Sequence, residues 1–516
     1  MSQRPHVLLI VLDTLRRDRL SGYGYGRSTT PQLDAFAESA TVFDRAVSPA
    51  QWTIPAHASL FTGLYPTTHQ LIEANRQLPA DFPTLAELLQ ANGYRTAGFC
   101  NNPLLGVLDH GLQRGFDNFY NYAGVSPNRP VLTRRSGLTR AMSEQWHRLV
   151  RTVSQTFAHN DHLFRLSLNP LFTPLWTRAI NFKGHTGQSV DDVMAYMRHY
   201  QALTPDKPMF TFVNLMGAHL PYKPTEDALA RVAPHVRHDR AARRFMNEFN
   251  ADAARWASPV DSPLDDWQRQ AIDDYYDAEI AAQDYHLGRL LRWLRKSGTL
   301  DDTLVIIAAD HGEGHGDHDF FGHGFVVYQE LVHVPLIVHY PAQFPGGHRV
   351  QTNVSTRRIY HTVLDAAGIT PPVDETHPNA NVRGLSLARA TNCKPDTENG
   401  IAFAEAFPPQ TFLNVLQHRS PHLIERLNLR HVRRGVYQGE RKLAVVGTQV
   451  EGFYDVTLDP QETRDLAPQH GSEVSAMQTQ LAEFVQSAQT LRAGGVLQTQ
   501  ISDEMAANMR ALGYME

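Results

Sequence analysis

Cysteine is nearly absent: the 516-residue chain carries two, Cys100 and Cys393. Two thiols cannot frame a disulfide scaffold, and their spacing fits neither a zinc knuckle nor a CxxC redox pair. They read as reduced thiols of an intracellular protein. Long apolar runs are missing as well. The run Val7-Leu8-Leu9-Ile10-Val11-Leu12 stops at Asp13, too short for a membrane span or a usual signal segment, and no small-residue cleavage site follows. No other stretch reaches the length of a spanning helix, so the expectation is a cytoplasmic protein without a transmembrane segment. Nor does one sign of charge dominate. Lys plus Arg is 48 and Asp plus Glu 53, a net charge of -5, which argues against a nucleic-acid partner recruited by bulk charge.

What remains is ordinary for a globular chain with a sizeable core: 42% apolar and 20% charged residues, with 26 histidines. At roughly 150 residues per domain the length allows about three domains, although single α/β domains often run longer. Short apolar runs alternate with helical patterns, which predicts an α/β protein with a large, mostly parallel sheet flanked by helices. The expected strands are Val7–Leu12, Arg95–Phe99, Met209–Leu215, Leu304–Ala309 and Pro335–Val338. A helix is expected over Tyr276–Lys296, where Ile280, Leu287, Leu290, Leu291 and Leu294 share one face and Ser297-Gly298 ends it.

Residues 125–190 read as an insertion. Arg129, Arg134, Arg135, Arg140, Arg148 and Arg151 face a single acid, Glu144, while Leu138, Met142, Trp146, Leu149, Val153 and Phe157 recur at helical spacing. Such a basic amphipathic helix docks on its own domain, covers a site or touches a membrane. A polar stretch near 371–400 separates a main domain, 1–385, from a smaller C-terminal α+β subdomain, 400–516. In that subdomain Gly435–Tyr437, Lys442–Val446 and Phe453–Val456 read as strands and Ser472–Leu491 as a helix.

Three strands lead into polar residues. Val7–Leu12 delivers Asp13, Leu304–Ala309 delivers Asp310-His311-Gly312-Glu313, and Met209–Leu215 leads to Gly217-Ala218-His219. In open α/β sheets ligands sit beyond the carboxyl ends of the strands. Asp13, Asp310 and His311 would then give two carboxylates and an imidazole. That set suits one divalent cation, with manganese or zinc favoured by the imidazole and calcium an alternative. In Thr53-Ile54-Pro55-Ala56-His57 the proline marks a helix start, so Thr53 lies either at the cap or where the dipole and free amides favour an anion. A cation would lower the pKa of the Thr53 hydroxyl and polarise an anionic ester.

Four blocks in order resemble the sulfatase family of the alkaline phosphatase superfamily. They are Asp13-Thr14-Leu15-Arg16 through Gly22-Tyr23-Gly24-Tyr25 and Thr30-Pro31-Gln32-Leu33-Asp34; Thr53 to Pro66; Asp310-His311-Gly312-Glu313; and Phe453-Tyr454-Asp455 with Asp459 to Leu466. The resemblance implies an alkaline-phosphatase-like fold, a metal site of Asp13, Thr53, Asp310 and His311, and Thr53 as nucleophile. It implies that His219, before Leu220-Pro221-Tyr222, contacts the substrate or its leaving group. His323 stands where many sulfatases place a lysine on the non-bridging oxygens. His57 replaces the usual arginine, and Asn101 and Asn102 are candidate oxyanion contacts. His315 and His318 could join the site, but read first as solvated loop residues.

The departures matter too. Sulfatases usually carry Cys or Ser where Thr53 stands and convert it to formylglycine, a conversion not known for threonine. Thr14 replaces the second N-terminal carboxylate, and His311 the usual Asn. The combination resembles the superfamily's phosphodiesterases and phosphoethanolamine transferases, in which threonine attacks phosphorus. The expectation is a hydrolase of phosphate or phosphonate esters working through a covalent Thr53 intermediate, with His219 protonating the leaving oxygen. Alternatives are a sulfatase using unmodified Thr53, a phosphoethanolamine-type transferase, and a non-catalytic anion-binding homologue. The expected partner is a small anionic ester, with a homo-oligomer allowed.

Overall fold

The computed structural model describes residues 4–123, 127–130, 183–252, 256, 259–261, 263–375, 377–391 and 397–492. The basic stretch 131–182 and Cys393 lie outside the described residues. Fifteen strands run in chain order among them: β1 His6–Leu12, β2 Thr41–Val47, β3 Arg95–Cys100, β4 Asn118–Asn121, β5 Met209–Leu215, β6 Thr303–Ala308, β7 Gly314–His315, β8 Phe321–Gly322, β9 His333–His339, β10 His348–Val350, β11 Val354–Ser355, β12 Ile401–Ala406, β13 Arg433–Gln438, β14 Arg441–Val446 and β15 Gln449–Asp455.

The main sheet has the order β10-β2-β9-β6-β1-β5-β3-β4, with β11 paired to β2. Its centre, β1, is apolar along Val7–Leu12 and buried throughout, as expected of a strand covered on both faces. It pairs in parallel with β5 (Val7 opposite Phe210) and with β6 (Val7 opposite Leu304). β3 lies parallel on the far side of β5. The carboxyl ends of β6, β1, β5 and β3 therefore open side by side on one edge.

One strand departs from the expected direction. β9 runs antiparallel to both β2 and β6. The chain leaves β6 at Ala308 and re-enters the sheet at His333 through a folded loop, with no long crossover helix of the kind that parallel neighbours require. That loop holds His311 and His323.

The long helix Asp266–Lys296 starts ten positions before the expected Tyr276, at a capping box between Asp265 and Gln268. Its expected apolar face is buried. The second sheet is antiparallel, β12-β13-β14-β15, and the helix Gly471–Thr490 closes it. Among the described residues no helix is long and apolar enough to cross a membrane.

The second sheet docks through buried polar contacts. Fully buried Lys442 pairs with Glu462 and donates to the Val327 carbonyl, and Gln329 N donates to Glu462 at 2.7 Å. His318 closes the same seam, with Nδ1 3.2 Å from Glu330 and Nε2 2.8 Å from the Gln461 carbonyl. Its ring stacks on Tyr328 at 3.8 Å. Both nitrogens donate, so the imidazolium is the bound form. Burial opposes that charge, but Glu330 with Glu462 raises the group to about 8. A pKa raised on folding adds stability below the unfolded value of about 6.5 and loses it as pH climbs past 8. His318→Gln is therefore expected to lower the melting temperature clearly at pH 6, with the gap closing by pH 9, as scanning calorimetry at the two pH values would show. A gap that widens with pH would contradict the clamp.

Candidate active site

Asp13 sits at the carboxyl end of β1 with its side chain fully buried. Asn102, just past β3, donates to Asp13 Oδ2 at 2.7 Å, and Asn214 from within β5 donates to the same oxygen at 3.2 Å. Among the described residues Asp13 Oδ1 has no hydrogen-bond partner. Asp310 and His311 follow β6 on the neighbouring strand. Asp310 Oδ1 accepts from His311 N at 2.9 Å and Thr14 N at 3.3 Å, while Oδ2 is left unpartnered.

Thr14 explains its own absence from this set. It adopts φ 56, a left-handed conformation uncommon for a β-branched residue. Its hydroxyl turns back to the Asp13 carbonyl at 2.8 Å and its amide faces Asp310. Gly312 is required by space: a Cβ there would lie 1.9 Å from the Glu330 carbonyl oxygen.

Thr53 is the first residue of the helix Thr53–Thr62, with extended Trp52 as its cap. It is therefore not the cap. First-turn amides lack helical partners, and Pro55 has none to offer, so Thr53 and Ile54 stand at the positive end of the helix, where free amides favour an anion. Thr53 Oγ1 lies 3.3 Å from His311 Nε2 and 3.4 Å from Asn102 Nδ2. His311 Nδ1 donates to the Gly312 carbonyl at 2.8 Å, which leaves the Nε2 lone pair aimed at Thr53 and Asp310.

Donor atoms of Asp13, Asp310 and His311 lie within 4.8 Å of one another. Two carboxylates this close and this buried repel. Burial, then Asp13, pushes Asp310 well above the usual carboxylate range, while burial and His323 push His311 well below the imidazole range. Two orphaned carboxylate oxygens beside an oriented imidazole lone pair fit a divalent cation, which would offset the repulsion and complete all three groups.

The other histidines divide by partner. His57, one helical turn past Thr53, donates from Nδ1 to the Thr53 carbonyl at 2.9 Å and lies 3.5 Å from Asp310 Oδ2. Its ring packs edge-on against Phe61 and Phe212, and burial drops it to about 4. Its polar contacts are thus with the Thr53 backbone and Asp310. His323 Nδ1 pairs with Glu313 at 2.8 Å, and its buried Nε2 has no partner among the described residues. Burial opposes charge on His323, yet Glu313 raises it. The His219 ring lies 5.5 Å from that of His323, with Nδ1 donating to the Leu220 carbonyl, and burial lowers its pKa. Asn101 accepts from Ser189 at 2.6 Å, and its buried Nδ2 is unpartnered among the described residues.

Two expectations are corrected. His315 is buried between Asp273 (3.0 Å) and the Tyr222 hydroxyl (3.1 Å), and His318 forms the seam described above. Neither is a solvated loop residue, because a polar partner awaits each ring nitrogen. Sequence reasoning also missed Asn214 and gave Glu313 no role. A lone amide inside the apolar strand Met209–Leu215 was the available signal for Asn214.

The chain is similar to known proteins over most of its length. A profile of the family described as Sulfatase matches residues 5–369. The ulvan-active sulfatase of Formosa agariphila is 24% identical over 72% of this chain and 63% of its own length. The N-acetylglucosamine-6-O-sulfatase of Bacteroides thetaiotaomicron is 21% identical over 95% of this chain and 87% of its own. The crystal structure of the phosphonate monoester hydrolase of Agrobacterium radiobacter superposes with a TM-score of 0.61 at 20% identity, covering 96% of this chain and 100% of that one.

Proposed function

The chain belongs to the sulfatase family of ester hydrolases, and on that premise we propose that it cleaves an ester whose transferred group carries one negative charge, a sulfate monoester first. The charge inventory carries this reading. Two carboxylates, Asp13 and Asp310, would balance a divalent cation, and Thr14 brings no third. Among the described residues no arginine or lysine forms a hydrogen bond or ion pair with the side chains of Asp13, Thr53, Asn101, Asn102, Asp310, His311 or His323. Glu313 in turn balances a protonated His323, so the described groups carry no net positive charge and meet the transferred group through His323 and neutral amides. Among the described residues a dianion would therefore leave one more charge uncompensated than a monoanion.

Sulfatases among the relatives move the weight from phosphorus esters, placed first on sequence, to sulfate esters. A second reading, a phosphonate monoester or phosphodiester, shares the single charge. It is favoured by Thr53, which cannot become the aldehyde of formylglycine. The donor set, two oxygens, one imidazole and one hydroxyl, favours manganese or zinc over calcium.

When bound at Asp13, Thr53, Asp310 and His311, the cation would supply a Lewis acid that acidifies the Thr53 hydroxyl and polarises the ester. Thr53, whose acidified hydroxyl has lost its proton to solvent, attacks sulfur or phosphorus through Oγ1 as the bond to the leaving oxygen breaks, and water then displaces Oγ1 from the Thr53 adduct. Asn101 Nδ2, Asn102 Nδ2 and the first-turn amides hold the equatorial oxygens. The leaving oxygen takes its proton from the paired histidines. Glu313 favours the charged form of His323, whereas burial favours the neutral form of His219, which supports His323 as donor and His219 as the base for water in the second half.

An unmatched charge near 4 Å is worth about 4 kcal/mol at an effective dielectric of 20. Matched para-nitrophenyl esters are therefore expected to show kcat/KM for the sulfate, or for the phenylphosphonate, at least about a hundredfold above the phosphate monoester. A phosphate monoester as best substrate would refute the single-charge reading.

A further inference from the structure

Gln51, two residues before Thr53, is fully buried. Its Nε2 donates to two carbonyls, Gly324 at 3.1 Å and Phe407 at 3.0 Å. Gly324 directly follows His323. Phe407 directly follows β12 and leads into the helix Gln410–Arg419, whose Phe412 ring lies 6.3 Å from that of His323. One amide thus joins the strap before the nucleophile, the His323 turn and the exit of the second sheet.

Neighbouring contacts repeat the pattern. The Ser48 hydroxyl donates to the Asp310 carbonyl, and Glu405 N in β12 donates to the Pro49 carbonyl at 3.0 Å. The segment after His323 is gripped from the second sheet at Val327 and Gln329. Two buried carbonyls that converge repel each other and each needs a donor. A planar NH2 group serves both at a fixed angle, so satisfying them sets the direction between the strap and the His323 turn.

We propose that Gln51 is a positioning residue that sets His323 Nε2 against Thr53 Oγ1, making the β12 exit part of the catalytic apparatus. The turnover readout rests on the ester-hydrolase reading; the binding readout does not. Gln51→Met keeps the length and removes both donors, while Gln51→Asn keeps the amide at shorter reach. Each is combined with His323→Ala in a double-mutant cycle, measured on the cation-loaded enzyme with para-nitrophenyl sulfate and phenylphosphonate, and by calorimetric titration with orthovanadate.

Gln51→Met is expected to lower kcat about 10- to 100-fold with KM changed less than about threefold. On the His323→Ala background the same change is expected to cost less than about twofold, in kcat and in orthovanadate affinity alike. Should Gln51→Met fail to fold, Gln51→Asn runs the same cycle. A wild type inactive on both esters would sink the proposed function and leave the orthovanadate cycle to decide. A full, multiplicative loss on the His323→Ala background, or a Gln51→Met enzyme with unchanged kcat and orthovanadate affinity, would overturn the positioning role.

Discussion

Thr53→Ala is expected to lower kcat/KM by at least about ten-thousandfold, while cation content and fold persist. The hydroxyl is 3.3 Å from His311 Nε2 and 3.4 Å from Asn102 Nδ2, so it sits at the meeting point of the ligand cluster and the amide donors. Three of the four proposed ligand groups, Asp13, Asp310 and His311, remain in the variant. Thr53→Ser, which keeps the oxygen but adds rotamer freedom, is expected to retain activity within about a hundredfold. Steady-state assays beside elemental analysis of the purified variants check both statements. Near-normal turnover by Thr53→Ala would show that another group attacks the ester.

Asp310→Asn gives the second large effect, and its sign on stability reverses with the cation. An Asn oxygen can replace Asp310 Oδ1, accepting from His311 N and Thr14 N. The new NH2 would take the place of Oδ2, 3.4 Å from the His311 Nε2 lone pair, and could donate to it. In chelated protein the substitution removes a buried charge that Asp13 repels. Burial and Asp13 raise Asp310, and an acid raised on folding subtracts stability once pH exceeds its unfolded value. Chelated Asp310→Asn is therefore expected to melt at or above chelated wild type at pH 7.

With cation at about a hundred times its Kd the wild type gains about 2.7 kcal/mol, which the variant forfeits along with a thousandfold or more of activity. Melting curves with and without chelator test the crossing. A variant less stable than wild type under both conditions would mean that Asp310 stabilises the fold without any cation.

The candidate site was more legible in the sequence than the packing. β1, β5 and β6 announce themselves as apolar runs, and the polar residues that end or follow them place Asp13, His219, Asp310 and His311 on one edge. β2, with Asp44 and Arg45 inside it, and the alanine-rich β12 gave no such signal. Their strand character comes from pairing with β9 and β13. The direction of β9 could not be read either, since an apolar strand looks the same both ways. His315 and His318 misled because a loop histidine next to glycine and aspartate resembles a solvated one until Asp273, Tyr222, Glu330 and Tyr328 arrive from elsewhere. Gln51 is the same case: its partners lie 273 and 356 residues away, beyond any local pattern.

The most direct test is a crystal structure of wild-type protein loaded with cation and orthovanadate, with anomalous diffraction to identify the metal. Vanadium within bonding distance of Thr53 Oγ1, beside a single cation ringed by Asp13, Asp310 and His311, is the predicted result. Vanadium held away from Thr53, or a cation bound by other side chains, would contradict it.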